Sequence, residues 1–150
     1  MINGVKIKEL NRFEDDRGWL TETWRYDDEG FHAAMSYVSQ TAAGVARGPH
    51  EHVNQADYFV FIGPGRFKIF LWDNRKDSPS FGEKMEVEAG EGDAKSIIVP
   101  PGVVHGYKCI SRGPGWCINL PDKLYRGEGK KEEVDEIRWE DNKESPYKIE

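Results

Sequence analysis

The apolar residues of this chain fall in short alternating stretches, each closed within a few residues by Gly, Pro, Asn or Asp. Nine stretches read as strands: "VKIKEL", "TETWRY", "SYVSQT", "YFVFI", "RFKIFLWD", "KMEVEA", "SIIVP", "GYKCI" and "WCINL", all rich in β-branched or aromatic residues. Between them stand "DDRG", "GPG", "AGEGDA", "PPG" and "RGPG", residues that set turn geometry. Many short strands with regular turns bury their apolar faces as a sandwich or barrel, so the expected fold is all-β. Only "DDEGFHAAM" carries a helical reading before the tail, and a weak one.

A chain of 150 residues is expected to form one domain over 1–150, large enough for a core without covalent staples. From about Gly127 the sequence becomes charged and nearly coreless, a tail that Val134, Ile137 and Trp139 would anchor. The net charge of −6 argues against a nucleic-acid partner while leaving room for a local basic pocket. "MINGVKIKEL" lacks the apolar run of a signal peptide and no stretch is long enough to span a membrane, so a cytoplasmic location is expected. Cys109 and Cys117 flank "SRGPG" and would face each other on a regular hairpin, but in that compartment reduced thiols are the expectation.

The histidines carry the functional signal. His50 and His52 are one residue apart, Asp57 follows, and His105 comes after a Pro-Pro-Gly turn. On a strand, residues i and i+2 share a face, so His50 and His52 can aim at one point while His105 arrives from a neighbouring strand. Three imidazoles and a carboxylate suit Fe, Mn, Ni or Zn. The bland alternative, three unrelated polar strand residues, is weakened by the match of both segments to one pattern. That pattern resembles the two motifs of the cupin superfamily: Gly44, His50, His52, Asp57 and Gly63 or Gly65, then Pro100 and His105 in "PPGVVH". Here Asp57 stands where Glu is usual, and Cys109 where Asn is commoner.

A second resemblance spans Asp15 to Asp141. "DDRGWLTETWR", "GVARGPH", "GRFKIFLWDNRKDSPSFGE", "IIVPPGVVHGY" and "EIRWEDN" are similar, in order and spacing, to motifs of the dTDP-4-dehydrorhamnose 3,5-epimerase family. The chain is thereby identified as an RmlC-like cupin, which implies a double-stranded β-helix, or jelly roll, usually dimeric with an exchanged N-terminal strand. The resemblance implies a metal-free site for a nucleotide-diphospho 4-keto sugar, with His50 as base and Tyr125 in "NLPDKLY" as acid. Arg17 and Arg47 would hold phosphate or enolate oxygen, and Glu22, Gln40 and His105 fall at pocket positions. The family's pocket lysine is replaced by Asp57 in "QAD", and the base's partner Asp lies in a C-terminal segment expected to be missing here. "RGPHEHVNQ" is also similar to sugar-nucleotide 3,4-ketoisomerases, which use two pocket histidines, so His52 joins the substrate-binding candidates.

The expected function is therefore a cytoplasmic epimerase or isomerase of a nucleotide-activated 4-keto-6-deoxy sugar, needing no cofactor and forming a homodimer. A metal-dependent cupin using His50, His52, Asp57 and His105 would explain the gained carboxylate. A carbohydrate-binding cupin without chemistry is the third reading.

Overall fold

The computed structural model describes residues 1–27 and 30–150. The strands are β1 (Lys6–Glu9), β2 (Phe13–Asp15), β3 (Gly18–Leu20), β4 (Tyr37–Thr41), β5 (Ala46–Glu51) and β6 (Asp57–Phe61), followed by β7 (Arg66–Asp73), β8 (Lys84–Gly90), β9 (Lys95–Val99), β10 (Val103–Cys109), β11 (Gly115–Asn119) and β12 (Ile137–Arg138). They form two antiparallel sheets, β1-β9-β6-β11-β4 and β12-β5-β10-β7-β8, with β2 and β3 as a separate hairpin. This is the expected all-β jelly roll.

Alternation along the strands accounts for the core. Phe59 and Phe61 of one sheet meet Phe67, Ile69, Leu71 and Tyr107 of the other, all buried. Yet β6 is buried at every position and β7 nearly so, which a sandwich with two wet outer faces would not produce. Each sheet carries a second, outer cluster. Tyr58 and Val60 are covered by Phe31, Trp24 and Leu10 from the N-terminal segment. Phe70, Trp72 and Val104 are covered by Trp139, Tyr147 and Ile149 from the tail.

Several local expectations are corrected. "TETWRY" is not a strand: the pairing ends at Leu20, and Trp24 instead donates its indole N–H to Phe31 O at 3.2 Å. The helical reading of "DDEGFHAAM" falls partly on Asp28 and Glu29, outside the described residues, and Gly30–Met35 forms no helix. The tail is anchored by Trp139, Tyr147 and Ile149, while Val134 and Ile137 are exposed. Cys109 and Cys117 are buried free thiols, as expected, and the strands that carry them lie in different sheets, so they do not face each other on one hairpin. No helix among the described residues is long and apolar enough to cross a membrane.

Candidate active site

The histidine cluster lies at one end of the sandwich. β10 pairs antiparallel with β5 so that His105 stands opposite His50, and their rings meet edge to face with centroids 4.4 Å apart. Gly48 permits this approach: its φ is +79°, and a Cβ there would sit 2.8 Å from His105 O. His52 lies just past the end of β5, and Asp57 opens β6 in the facing sheet. One ligand-capable atom from each of His50, His52, Asp57 and His105 lies within 4.8 Å of all the others.

Asp57 is the hub. Its Oδ2 lies 3.0 Å from His52 Nε2 and 3.2 Å from His105 Nε2, while Oδ1 accepts from Gln55 Nε2 and Asn119 Nδ2, both at 2.9 Å. Asn119 Nδ2 also reaches the Tyr37 hydroxyl at 2.9 Å. Burial opposes the carboxylate's charge, but the two imidazoles outweigh it and hold Asp57 well below the usual carboxylate range. Burial likewise opposes a charge on His52, and Asp57 overcomes it, so that imidazole is pushed up to about 9. His50 has no such partner: burial, then His105 and His52, press it well below its ordinary value. At neutral pH His50 is a neutral imidazole, able to accept a proton.

The backbone fixes the rings. His105 Nδ1 is 2.9 Å from Val103 O, and His52 Nδ1 makes a short contact to Asp135 O. The Asp135 carboxylate accepts the N–H groups of Val53, Asn54 and Gln55 at 2.8, 2.8 and 3.0 Å, tying the tail to the loop that carries His52. Asn119 and Asp135 escaped the sequence reading. Each is a lone polar residue in an otherwise unremarkable stretch, and only the sheet order brings it to the cluster.

A cleft of about 1470 Å³ opens over the cluster, lined among others by Tyr37, Arg47, His50, His52, Tyr125 and Arg138. That is ample for a drug-sized or larger ligand. His105 and Asp57 lie buried behind His50 and His52. Arg47 is fastened to Thr41 Oγ1 at 2.9 Å and to Gln40 O at 2.6 Å. Gln40 itself does not line the cleft, because on β4 it alternates with the lining Tyr37 and Ser39 and its side chain is exposed on the other face. Arg17 and Glu22 are not brought to this cleft within one chain. Arg17 pairs with Asp15 on the exposed β2–β3 hairpin, and Glu22 pairs with Arg25.

A double-sheet jelly roll with a histidine-walled cleft at its end defines a cupin. The chain belongs to the dTDP-4-dehydrorhamnose 3,5-epimerase family, whose model matches residues 1–144. It is 37% identical to the "probable low-salt glycan biosynthesis epimerase" Agl13 of Haloferax volcanii, over 88% of this chain and 86% of that one. It is 34% identical to the spore coat polysaccharide biosynthesis protein SpsL of Bacillus subtilis, over 94% and 92%. A dTDP sugar isomerase from Desulfovibrio desulfuricans G20 shares the fold with a TM-score of 0.81 at 22% identity, over 91% of this chain and 84% of that one.

Proposed function

We propose that this protein is an epimerase or isomerase of a nucleotide-activated 4-keto-6-deoxy sugar, with His50 as the proton-transferring base. The observation that carries the reading is His50 itself, an imidazole kept neutral by burial and by its imidazole neighbours, on the wall of the cleft. The family and the sugar-biosynthesis relatives support the substrate class. A 4-keto group acidifies the hydrogens on C3 and C5, so a neutral imidazole within reach removes one and leaves an enolate. Arg47 on the same wall offers a guanidinium to phosphate or to the enolate oxygen. Tyr125 also lines the cleft and is the proposed acid that returns the proton on the opposite face.

Arg17 and Glu22 join this scheme if two copies exchange the β2–β3 hairpin in a homodimer. The hairpin pairs with neither sheet and exposes Phe13, Trp19 and Leu20, an apolar surface suited to a second copy.

The test is proton NMR of dTDP-4-keto-6-deoxyglucose with the protein in deuterated water. Deuterium entering at C3 or C5 is the expected result, and which carbons exchange separates epimerase from ketoisomerase. His50→Asn is expected to slow exchange by about 10²- to 10⁴-fold. Exchange undiminished in that variant would remove His50 from the mechanism, and none in the wild type would remove the reaction.

A further inference from the structure

We infer that Tyr37 is a further catalytic residue, whose hydroxyl donates a hydrogen bond to the sugar's 4-oxygen and so stabilises the enolate. The inference rests on the epimerase or isomerase reading above and names a group within it. The first ground is placement. Tyr37 opens β4 in one sheet, His50 stands on β5 in the other, and both line the cleft. A sugar ring between them has the base on one side and a phenol on the other. Tyr37 is 47% exposed, open to a ligand, while Asn119 and Asp57 beside it are buried.

The second ground is the direction of its hydrogen. Asn119 stands directly opposite Tyr37 in the β11–β4 ladder, and its Nδ2 lies 2.9 Å from both the Tyr37 hydroxyl and Asp57 Oδ1. The carboxylate can only accept, so it fixes the amide; the reverse orientation would set Asn119 Oδ1 against it. An amide N–H can only donate, so the Tyr37 oxygen accepts, and the phenol's own hydrogen has no acceptor among the described residues. Tyr107, another cleft hydroxyl, is by contrast paired with Ser39 Oγ at 3.1 Å. Burial pushes the Tyr37 phenol up to about 12, against the pull of the Asn119 hydrogen bond, so it stays protonated at neutral pH.

The electrons balance around this donor. When His50 takes the proton from C3 or C5, the C–H pair forms a double bond to C4 and the carbonyl pair moves onto the 4-oxygen. Tyr37 gives that oxygen a hydrogen bond and keeps its own proton, and the electrons return when carbon is reprotonated. A fixed donor binds the enolate oxygen more strongly than the ketone, which lowers the barrier. Arg47 is then left for phosphate.

Tyr37→Phe keeps the ring and deletes the hydroxyl. It is compared with wild type on dTDP-4-keto-6-deoxyglucose in deuterated water by proton NMR, and on dTDP alone by calorimetry. Deuterium exchange and product formation are expected to fall together by about 10²- to 10³-fold in kcat. The affinity for dTDP should stay unchanged, since dTDP lacks the 4-oxygen. Exchange at the wild-type rate in the variant would overturn the role of Tyr37 and leave the reaction standing. Product lost while exchange persists would overturn it too, by making Tyr37 a proton donor to carbon. Weakened dTDP binding that accounts for the whole loss would reduce Tyr37 to a structural residue. No exchange in the wild type would overturn this inference together with the reaction.

Discussion

Gly48 and Asn119 show how narrowly single residues hold the cluster. Gly48→Ala puts a Cβ against His105 O and asks an L residue to hold a φ of +79°. The expected outcome is a loss of about 1–3 kcal/mol in a denaturant melt, with sugar exchange slowed further because His50 moves with its strand. Asn119→Leu removes one of two donors to Asp57 Oδ1 and leaves that buried oxygen to Gln55 alone. A cost of about 1–3 kcal/mol is expected by the same measurement. Asp57 and the three histidines could be picked out of the sequence because cupin spacing marks them. Asn119 could not, since one asparagine in "WCINL" carries no signal until β11 is placed beside β6.

Among the elements, the tail is the one whose role needs its own test. β12 adds two residues to the edge of β5, and Trp139 then donates its indole N–H to the buried Glu51 carboxylate at 2.9 Å, which also accepts from Asn74 Nδ2 at 3.0 Å. Trp139→Phe keeps an aromatic ring at the position but deletes the donor and trims the packed surface, so a loss of about 1–3 kcal/mol is expected in thermal or urea unfolding. The turn after β7 works differently. Asp73 is buried; burial opposes its charge, but Arg75, Ser78 and Ser80 outweigh it and hold the carboxylate well below the usual range. A carboxylate depressed in the folded state adds stability above its ordinary value of 3.8 and loses it as pH falls below that. Urea melts across acid pH should therefore show Asp73→Asn less stable than wild type at neutral pH, with the gap closing below pH 3.8. A gap that stays constant would mean the ionised form is not what stabilises the turn.

For the whole molecule, the homodimer is the arrangement to measure. Sedimentation is expected to give a particle of twice 17.2 kDa, and Leu20→Asp on the exposed hairpin to shift it to one chain with loss of sugar exchange. A wild-type monomer would leave Arg17 and Glu22 outside the site. By itself, the sequence determined the fold class and the family. A period-two apolar pattern with Gly and Pro turns admits little besides facing sheets, and the family motifs survive as ordered local strings. It also marked His50, His52, Asp57 and His105, because their order and spacing repeat the two cupin motifs. The tertiary structure decided the rest. Sheet order, which no local pattern encodes, brought Asp57 of one sheet against His105 of the other and laid the tail over Phe70 and Trp72. It also set Asp135 carbonyl against His52. Contacts between residues so far apart in the chain depend on which strands neighbour one another, and that follows from packing the whole core.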